Sequence, residues 1–219
     1  MIITIDGPAA AGKGTLAQKL AEKYDLAYFD TGMVYRATGL SLLLKNIDPE
    51  NAVEAEKASK NLTFSSMISL SKHPDFRSSI GGQAASKVAA IPAVRTALLK
   101  MQQDFALNPQ FADGTPAKGV IYDGRDTGTV VCPQANIKLF ITATPEVRAL
   151  RRYKEYQQKG LDTSFEKVLA ETKERDLRDS SRSSAPLKPA GDAVIIDTSE
   201  MDIESVFQYV CSIIDQKNI

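Results

Sequence analysis

A glycine-rich stretch near the start of the chain has the composition and spacing of a phosphate cradle. After the apolar run Ile2–Ile5 and Asp6, the sequence reads Gly7-Pro8-Ala9-Ala10-Ala11-Gly12-Lys13-Gly14-Thr15 and then enters helical periodicity. The two glycines of a G-x4-G-K run let the backbone wrap a phosphate with its amides turned inward. The N-terminus of the following helix adds partial positive charge. Lys13 is placed to reach the β- and γ-phosphates of ATP. The residue after Lys13 is Gly14, and the hydroxyl comes one place later, at Thr15. Direct Mg²⁺ ligation by a loop hydroxyl is therefore not implied by the motif.

Three further stretches carry charge in patterns that suit a second nucleotide. Asp30-Thr31-Gly32-Met33-Val34-Tyr35-Arg36 follows an apolar run. Thr31 can cap the next helix, and Arg36, one turn in, either forks onto a phosphate or makes a surface salt bridge. Another apolar run ends Tyr122-Asp123-Gly124-Arg125-Asp126-Thr127-Gly128-Thr129. An acid that ends such a run beside a phosphate loop has the Walker B arrangement, and Asp123 can hold Mg²⁺ through water. Arg125 and Asp126, flanked by glycines, can serve a phosphate and an exocyclic amino donor respectively. Residues 173–182 are dense in charge. A solvated helix face explains that density, but Arg178 and Arg182 at i,i+4 repel unless an anion lies between them.

The elements that must position these residues read as an α/β alternation. Apolar runs at 2–6, 26–29 (ending at Asp30), 119–122 (ending at Asp123), 137–142 and 193–197 suit five strands. Helical spacing is expected over 12–24, 33–45, 48–60 with Pro49 near the start, and 83–107 with a break at Pro92. It returns over 145–158, 164–182 and 201–216, with Lys159-Gly160 as a break. Residues 61–82 alternate serine with apolar residues and reach Gly81-Gly82, which suggests a hairpin or short-strand insert. Strands separated by helices predict a doubly wound parallel sheet, with ligands beyond the carboxyl ends of its strands.

Bulk properties exclude other classes. Lysine plus arginine equals aspartate plus glutamate at 27 each, so neither a nucleic acid nor a membrane surface is called for as partner. The sole histidine, His73, lies in a polar loop-like stretch, which rules out a two-histidine zinc site and disfavours a Ser-His-Asp hydrolase. Cys132 and Cys211 form no CxxC pair and read as buried thiols in a reducing compartment. The opening Met-Ile-Ile-Thr-Ile lacks the basic start and long apolar stretch of a secretory signal, and no segment approaches the ~18 apolar residues of a membrane span. A cytoplasmic monomer is expected.

The blocks ITIDGPAAAGKGT, FDTGMVYR, AASKVAAIPAVR, DGRDTGTVV and KERDLRDSSRSSAPL occur in order across nearly the whole chain. In these blocks the sequence resembles the bacterial-type cytidylate kinases. The resemblance implies transfer of the γ-phosphate of ATP to CMP or dCMP, with Mg²⁺. It implies that Thr31, Arg36 and Arg125, with Tyr35 beside them, serve the acceptor nucleotide, the arginines on its phosphate. It further implies that Ser86, Arg95, Asp126 and Arg182 surround the cytosine and that Arg175 and Asp179 approach the ribose. Lys13, Arg36, Arg125 and Arg178 are assigned to catalysis. Residues 7–15 with Arg151 and Arg152 are assigned to ATP, and Arg148 is grouped with those two as a possible phosphate contact during closure. One kinase domain is expected, with a core (about 1–30, 108–152 and 183–219), an acceptor-binding part (31–107, with an insert near 61–82) and a lid (153–182). A kinase for another acceptor (UMP, AMP or shikimate) and a nucleotide-binding regulatory module are the competing readings.

Overall fold

Strands β1 (Ile2–Asp6), β2 (Ala27–Asp30), β3 (Val120–Gly124), β4 (Ile137–Thr142) and β5 (Val194–Asp197) form one sheet in the order β2-β3-β1-β4-β5. Every pairing is parallel. The computed structural model describes residues 1–217. Asp6 pairs in register with Gly124, and Asp30 with Asp123. The carboxyl ends of the three strands β1, β2 and β3 therefore lie level with one another, where an open parallel sheet binds its ligands.

Side-chain alternation along the strands divides the core into two layers. Ile3, Ile5 and Ile121 face α1 (Lys13–Tyr24) and α9 (Ile203–Gln216), and Leu16, Leu20, Val206 and Val210 complete that layer. Val120, Tyr122 and Phe29 face the other way, onto α2 (Gly32–Leu43) and the helices α3 (Ala52–Lys60), α4 (Phe64–Ser71), α5 (Ser79–Val88) and α6 (Pro92–Leu107). A third, smaller cluster of Ala149, Tyr156 and Val168 joins α7 (Pro145–Gln158) to α8 (Phe165–Ser180). The doubly wound parallel sheet is thus as the sequence predicts, and the helix break before Pro92 falls where expected.

Residues 61–82 depart from the expected hairpin and are helical. Phe64, Met67 and Leu70 recur every three residues, so the apolar residues mark one helix face as well as an alternation. Thr63 starts α4 with a capping box: its hydroxyl accepts from Ser66 N at 3.1 Å, and Ser66 Oγ accepts from Thr63 N at 3.0 Å. Phe64 then packs edge-on against Phe29 of β2 at 6.2 Å. A 3₁₀ turn (Pro74–Arg77) leads into α5, whose cap is Ser78. Gly81 and Gly82 lie inside α5 rather than in a turn, and a Cβ on Gly81 would come within 2.2 Å of the Asp75 carbonyl oxygen. Pro49 also moves outside its helix, because Asn51 caps α3 by accepting from Glu54 N.

Among the described residues no helix is long and apolar enough to cross a membrane. Cys132 and Cys211 are free and buried.

Candidate active site

The phosphate loop is shaped where it leaves the sheet. Gly7 has φ 146°, and a Cβ there would lie 1.9 Å from the Ile141 carbonyl oxygen of β4. Gly12 has φ 89° and begins α1 with no side-chain cap, so the amides of the first turn remain available to an anion. Ala10 also adopts a positive φ of 59°. Ala9 to Thr15 line a cleft of about 440 Å³, while Gly7 and Pro8 stand behind its wall. Lys13 Nζ donates to the Pro8 carbonyl at 2.9 Å and lies 3.7 Å from Asp123 Oδ1. Burial, with Arg125 adding repulsion, brings the lysine down to about 8.

The side of the same cleft across from the loop is walled by guanidinium groups. Arg36, Arg125, Arg152, Arg175 and Arg182 all line it, from α2, the turn after β3, α7, α8 and the segment after α8. Asp179 is the shared counter-charge of Arg125, Arg175 and Arg182. Arg125 Nε donates to its Oδ2 at 3.2 Å, Arg175 Nε stands at 3.8 Å, and Arg182 pairs with its Oδ1. Burial opposes charge on Asp179, yet these three cations hold its carboxyl below the usual carboxylate range. Arg175 is brought down to about 9 by burial and by the neighbouring Arg125. The Nε atoms of Arg175 and Arg182 are buried without a hydrogen-bond partner. One carboxylate for three guanidiniums leaves cationic capacity that suits a phosphate or a polar base edge.

Asp126 faces Arg95 across the cleft floor, and the two form a buried ion pair. The Arg95 guanidinium also lies 5.2 Å over the ring of Tyr35, which is buried beneath it. Thr31 differs from the expected helix cap. Its hydroxyl donates instead to the Asp123 carbonyl at 2.9 Å, fastening the start of α2 to the end of β3. Arg36 donates to the Phe76 carbonyl at 2.8 Å, so the 3₁₀ turn aims it.

Arg148 and Arg178 do not line the main cleft, whereas Arg151 does. Arg148 is buried. It donates to the Ala143 and Ala9 carbonyls at 2.8 and 3.2 Å and pairs bidentately with Asp176 of α8, so it ties the phosphate loop to α8. Arg151 donates to Thr198 and lines both the main cleft and a neighbouring cavity of about 340 Å³ on the far side of Thr15. Arg178 lies outside the main cleft, in an adjoining pocket of about 120 Å³, bonded to Ser86 and Glu174. Helix α8 ends at Ser180, so Arg182 leaves the helical face and the expected Arg178–Arg182 repulsion does not arise.

The family model described as cytidylate kinase matches residues 3–216. The chain belongs to the cytidylate kinase family. The cytidylate kinase of Paramagnetospirillum magneticum is 49% identical over 216 residues, covering 99% of this chain and 98% of the relative. That of Caulobacter sp. is 45% identical over 214 residues, covering 98% and 94%. Among solved structures, an uncharacterized protein from Eubacterium ventriosum superposes with a TM-score of 0.53 at 16% identity, over 99% and 98% of the two chains. Shikimate kinase from Bacteroides thetaiotaomicron does so with a TM-score of 0.50 at 13% identity, over 98% of each. At such identities these structures share the fold alone.

Within this cytidylate kinase fold, two acids in and beside the cleft, Asp30 and Asp6, received no site role from the sequence. Asp30 lines the wall and pairs with Arg77 at 3.7 Å. Asp6, at the root of the phosphate loop, is buried and accepts hydrogen bonds from Thr127 and Gly128. The position of both acids at strand ends was the available signal.

Proposed function

We infer that this chain transfers the γ-phosphate of ATP to CMP or dCMP, giving ADP and CDP or dCDP. The observation that carries the reading is the meeting of the phosphate loop and the Arg36–Arg125–Arg175–Arg182 wall in one cleft, with the Arg95–Asp126 pair on its floor. Lys13 and the loop amides take the donor phosphates. The cavity beside Thr15, Arg151 and Thr198 suits the donor nucleoside. Arg36 and Arg125 take the acceptor phosphate; Ser86, Arg95, Asp126 and Arg182, over Tyr35, read the base; Arg175 and Asp179 face the ribose.

The acceptor phosphate is already anionic, so the reaction needs no general base. Catalysis by this chain is positioning plus neutralisation of charge on a loose phosphoryl transition state. Lys13 on the donor side and Arg36 and Arg125 on the acceptor side bracket the transferred group. Helices α7 and α8, tied to the loop through Arg148, exclude water that would otherwise take the phosphate. A monomer in the cytoplasm is the working unit of this reading, and both cysteines are buried free thiols of the kind a reducing compartment maintains. The loop with the acceptor part at 31–107 and the lid at 153–182 is the division of labour this reading implies.

Magnesium fits the oxygen donors present. A Cβ on Gly14 would lie 3.2 Å from Asp123 Oδ2, so the carboxylate is aimed at the start of α1. Burial raises the pKa of that carboxyl, and a cation beside it would offset the cost of its charge. Asp123, through water, would hold the ion, which would supply charge neutralisation on the donor phosphates.

An assay of ADP release with ATP across CMP, dCMP, UMP, AMP and shikimate tests the reading. CMP and dCMP should lead. Equal rates with UMP, or no ADP with any cytidine nucleotide, would overturn it.

A further inference from the structure

Asp6 sits where β1 becomes the phosphate loop, yet its side chain turns toward the segment after β3. Its Oδ1 accepts from the Thr127 N–H and the Thr127 hydroxyl, both at 2.8 Å, and its Oδ2 accepts from the Gly128 N–H at 2.7 Å. Asp6 is 4% exposed and Thr127 fully buried, so water does not replace these bonds. Desolvation pushes the carboxyl up to about 6, while all three donors favour its charged form. A buried carboxylate without a cation in contact is a costly element, and apolar packing would serve stability as well.

The surrounding space is equally constrained. A Cβ on Gly124 would lie 2.4 Å from Thr127 Cγ2 and 2.6 Å from Thr31 Oγ1. One on Gly128 would lie 2.8 Å from Thr4 Oγ1 and 3.4 Å from Asp6 Oδ2. The turn from Gly124 to Gly128 is therefore seated directly on β1. Between those two glycines stand Arg125 and Asp126, the first bonded to Asp179 and the second to Arg95.

We propose that Asp6 is a positioning residue for acceptor recognition: by clamping Thr127 and Gly128 to β1, it fixes Arg125 on the acceptor phosphate and Asp126 on the base edge. The proposal rests on the kinase reading above. Asp6 touches neither nucleotide. It acts on the acceptor because the turn it holds carries acceptor residues, whereas the donor loop beside it is braced by β4 at Gly7.

The test compares wild type, Asp6→Asn, Thr127→Val and Thr127→Ser with CMP and UMP as acceptors, and adds equilibrium binding of a non-hydrolysable ATP analogue. In Asp6→Asn the amide nitrogen meets an N–H donor instead of accepting from it. The KM for CMP should rise about tenfold or more, and the CMP-over-UMP preference should fall by a similar factor, since small misplacements of orienting groups cost that much or more. Affinity for the ATP analogue should stay within about twofold of wild type by the same reasoning. Thr127→Val, which removes one donor and keeps the shape, should move the same quantities in the same direction, and Thr127→Ser should restore them. An unchanged CMP KM and preference in folded Asp6→Asn overturns the clamp. So does an equal fall in CMP and ATP-analogue affinity, which marks general loosening. If Asp6→Asn does not fold, the Val and Ser pair decides: no difference between them overturns the clamp. Wild type inactive with CMP in the same assay overturns the kinase reading and the clamp with it, whereas an active wild type beside unaffected variants overturns the clamp alone.

Discussion

Arg178 on α8 donates to Ser86 Oγ on α5 at 3.1 Å, joining α8 to a residue that lines the main cleft. Arg178 also pairs with Glu174 one turn back on its own helix. We propose that it acts on transfer by holding α8 against α5. Arg178→Ala should lower kcat/KM for CMP about tenfold, the size of one charge-assisted hydrogen bond, with a change of no more than a few degrees in Tm. Ser86→Ala should do less to closure and more to base preference. Steady-state kinetics on the two variants and their double mutant separates these effects.

Lys13→Ala should reduce transfer on the order of 10²–10³-fold or more, as loss of one transition-state charge donor does, and the protein should remain folded. Lys13 loses its proton as pH rises past about 8. Affinity for an ATP analogue in the wild type should therefore fall by up to about fivefold from pH 8 to 9. Lys13→Arg keeps its charge across that range, so its affinity, lower from the start, should stay flat. Titration calorimetry at several pH values reads both slopes.

Asp126→Ala strands Arg95 as a buried cation without its partner. Loss of one member of such a pair costs about 3–5 kcal/mol, and the variant should melt well below wild type. In the fraction that folds, discrimination between CMP and UMP should collapse by about 10²-fold or more, because the polar reader of the base is gone. Chemical denaturation and acceptor competition measure the two effects.

The folded protein holds the Asp6 proton up to about pH 6, against 3.8 for the free side chain. Between those values the native state binds more protons than the unfolded chain, so stability falls as pH rises from about 4 to 6. The full difference corresponds to about 3 kcal/mol at neutral pH. Asp6→Asn does not titrate. Its stability relative to wild type should therefore improve as pH is raised through this window, which urea unfolding at pH 4.5, 5.5 and 7 will show.

CMP added at about 100 times its Kd should raise unfolding free energy by about 2.7 kcal/mol. With three arginines sharing Asp179, inorganic phosphate should give a smaller shift of the same sign. A thermal shift series with CMP, cytidine and phosphate tests whether the phosphate end carries this gain, and a cytidine shift equal to that of CMP would count against the arginine wall.

Five strands and most helices were legible because apolar period and length are local properties. Residues 61–82 were not, because Phe64, Met67 and Leu70 satisfy a helical period while the serines between them also satisfy an alternation. The choice was made by the Thr63–Ser66 capping box and by Phe29, which lies far away in sequence. The phosphate loop was equally legible, being one contiguous run. The pairings Arg95–Asp126 and Arg125–Asp179 span 31 and 54 residues and come from helices α6 and α8 packing over the turn that follows β3. Arg148 had the same spacing signal as Arg151 and Arg152, and only its burial against Ala9 and Asp176 distinguishes its role. Asp6 looked like a strand terminus because its partners, Thr127 and Gly128, lie more than 120 residues onward.

The absence of a side chain at Gly7 has a mechanical meaning. With the Ile141 oxygen occupying the place of a Cβ, the mouth of the donor loop is gauged by the spacing between β1 and β4. Strand spacing in a parallel sheet is among the least deformable dimensions a protein has. The curvature presented to a triphosphate is thus inherited from the sheet's lattice, and small perturbations of β4 would alter it as surely as changes within the loop itself.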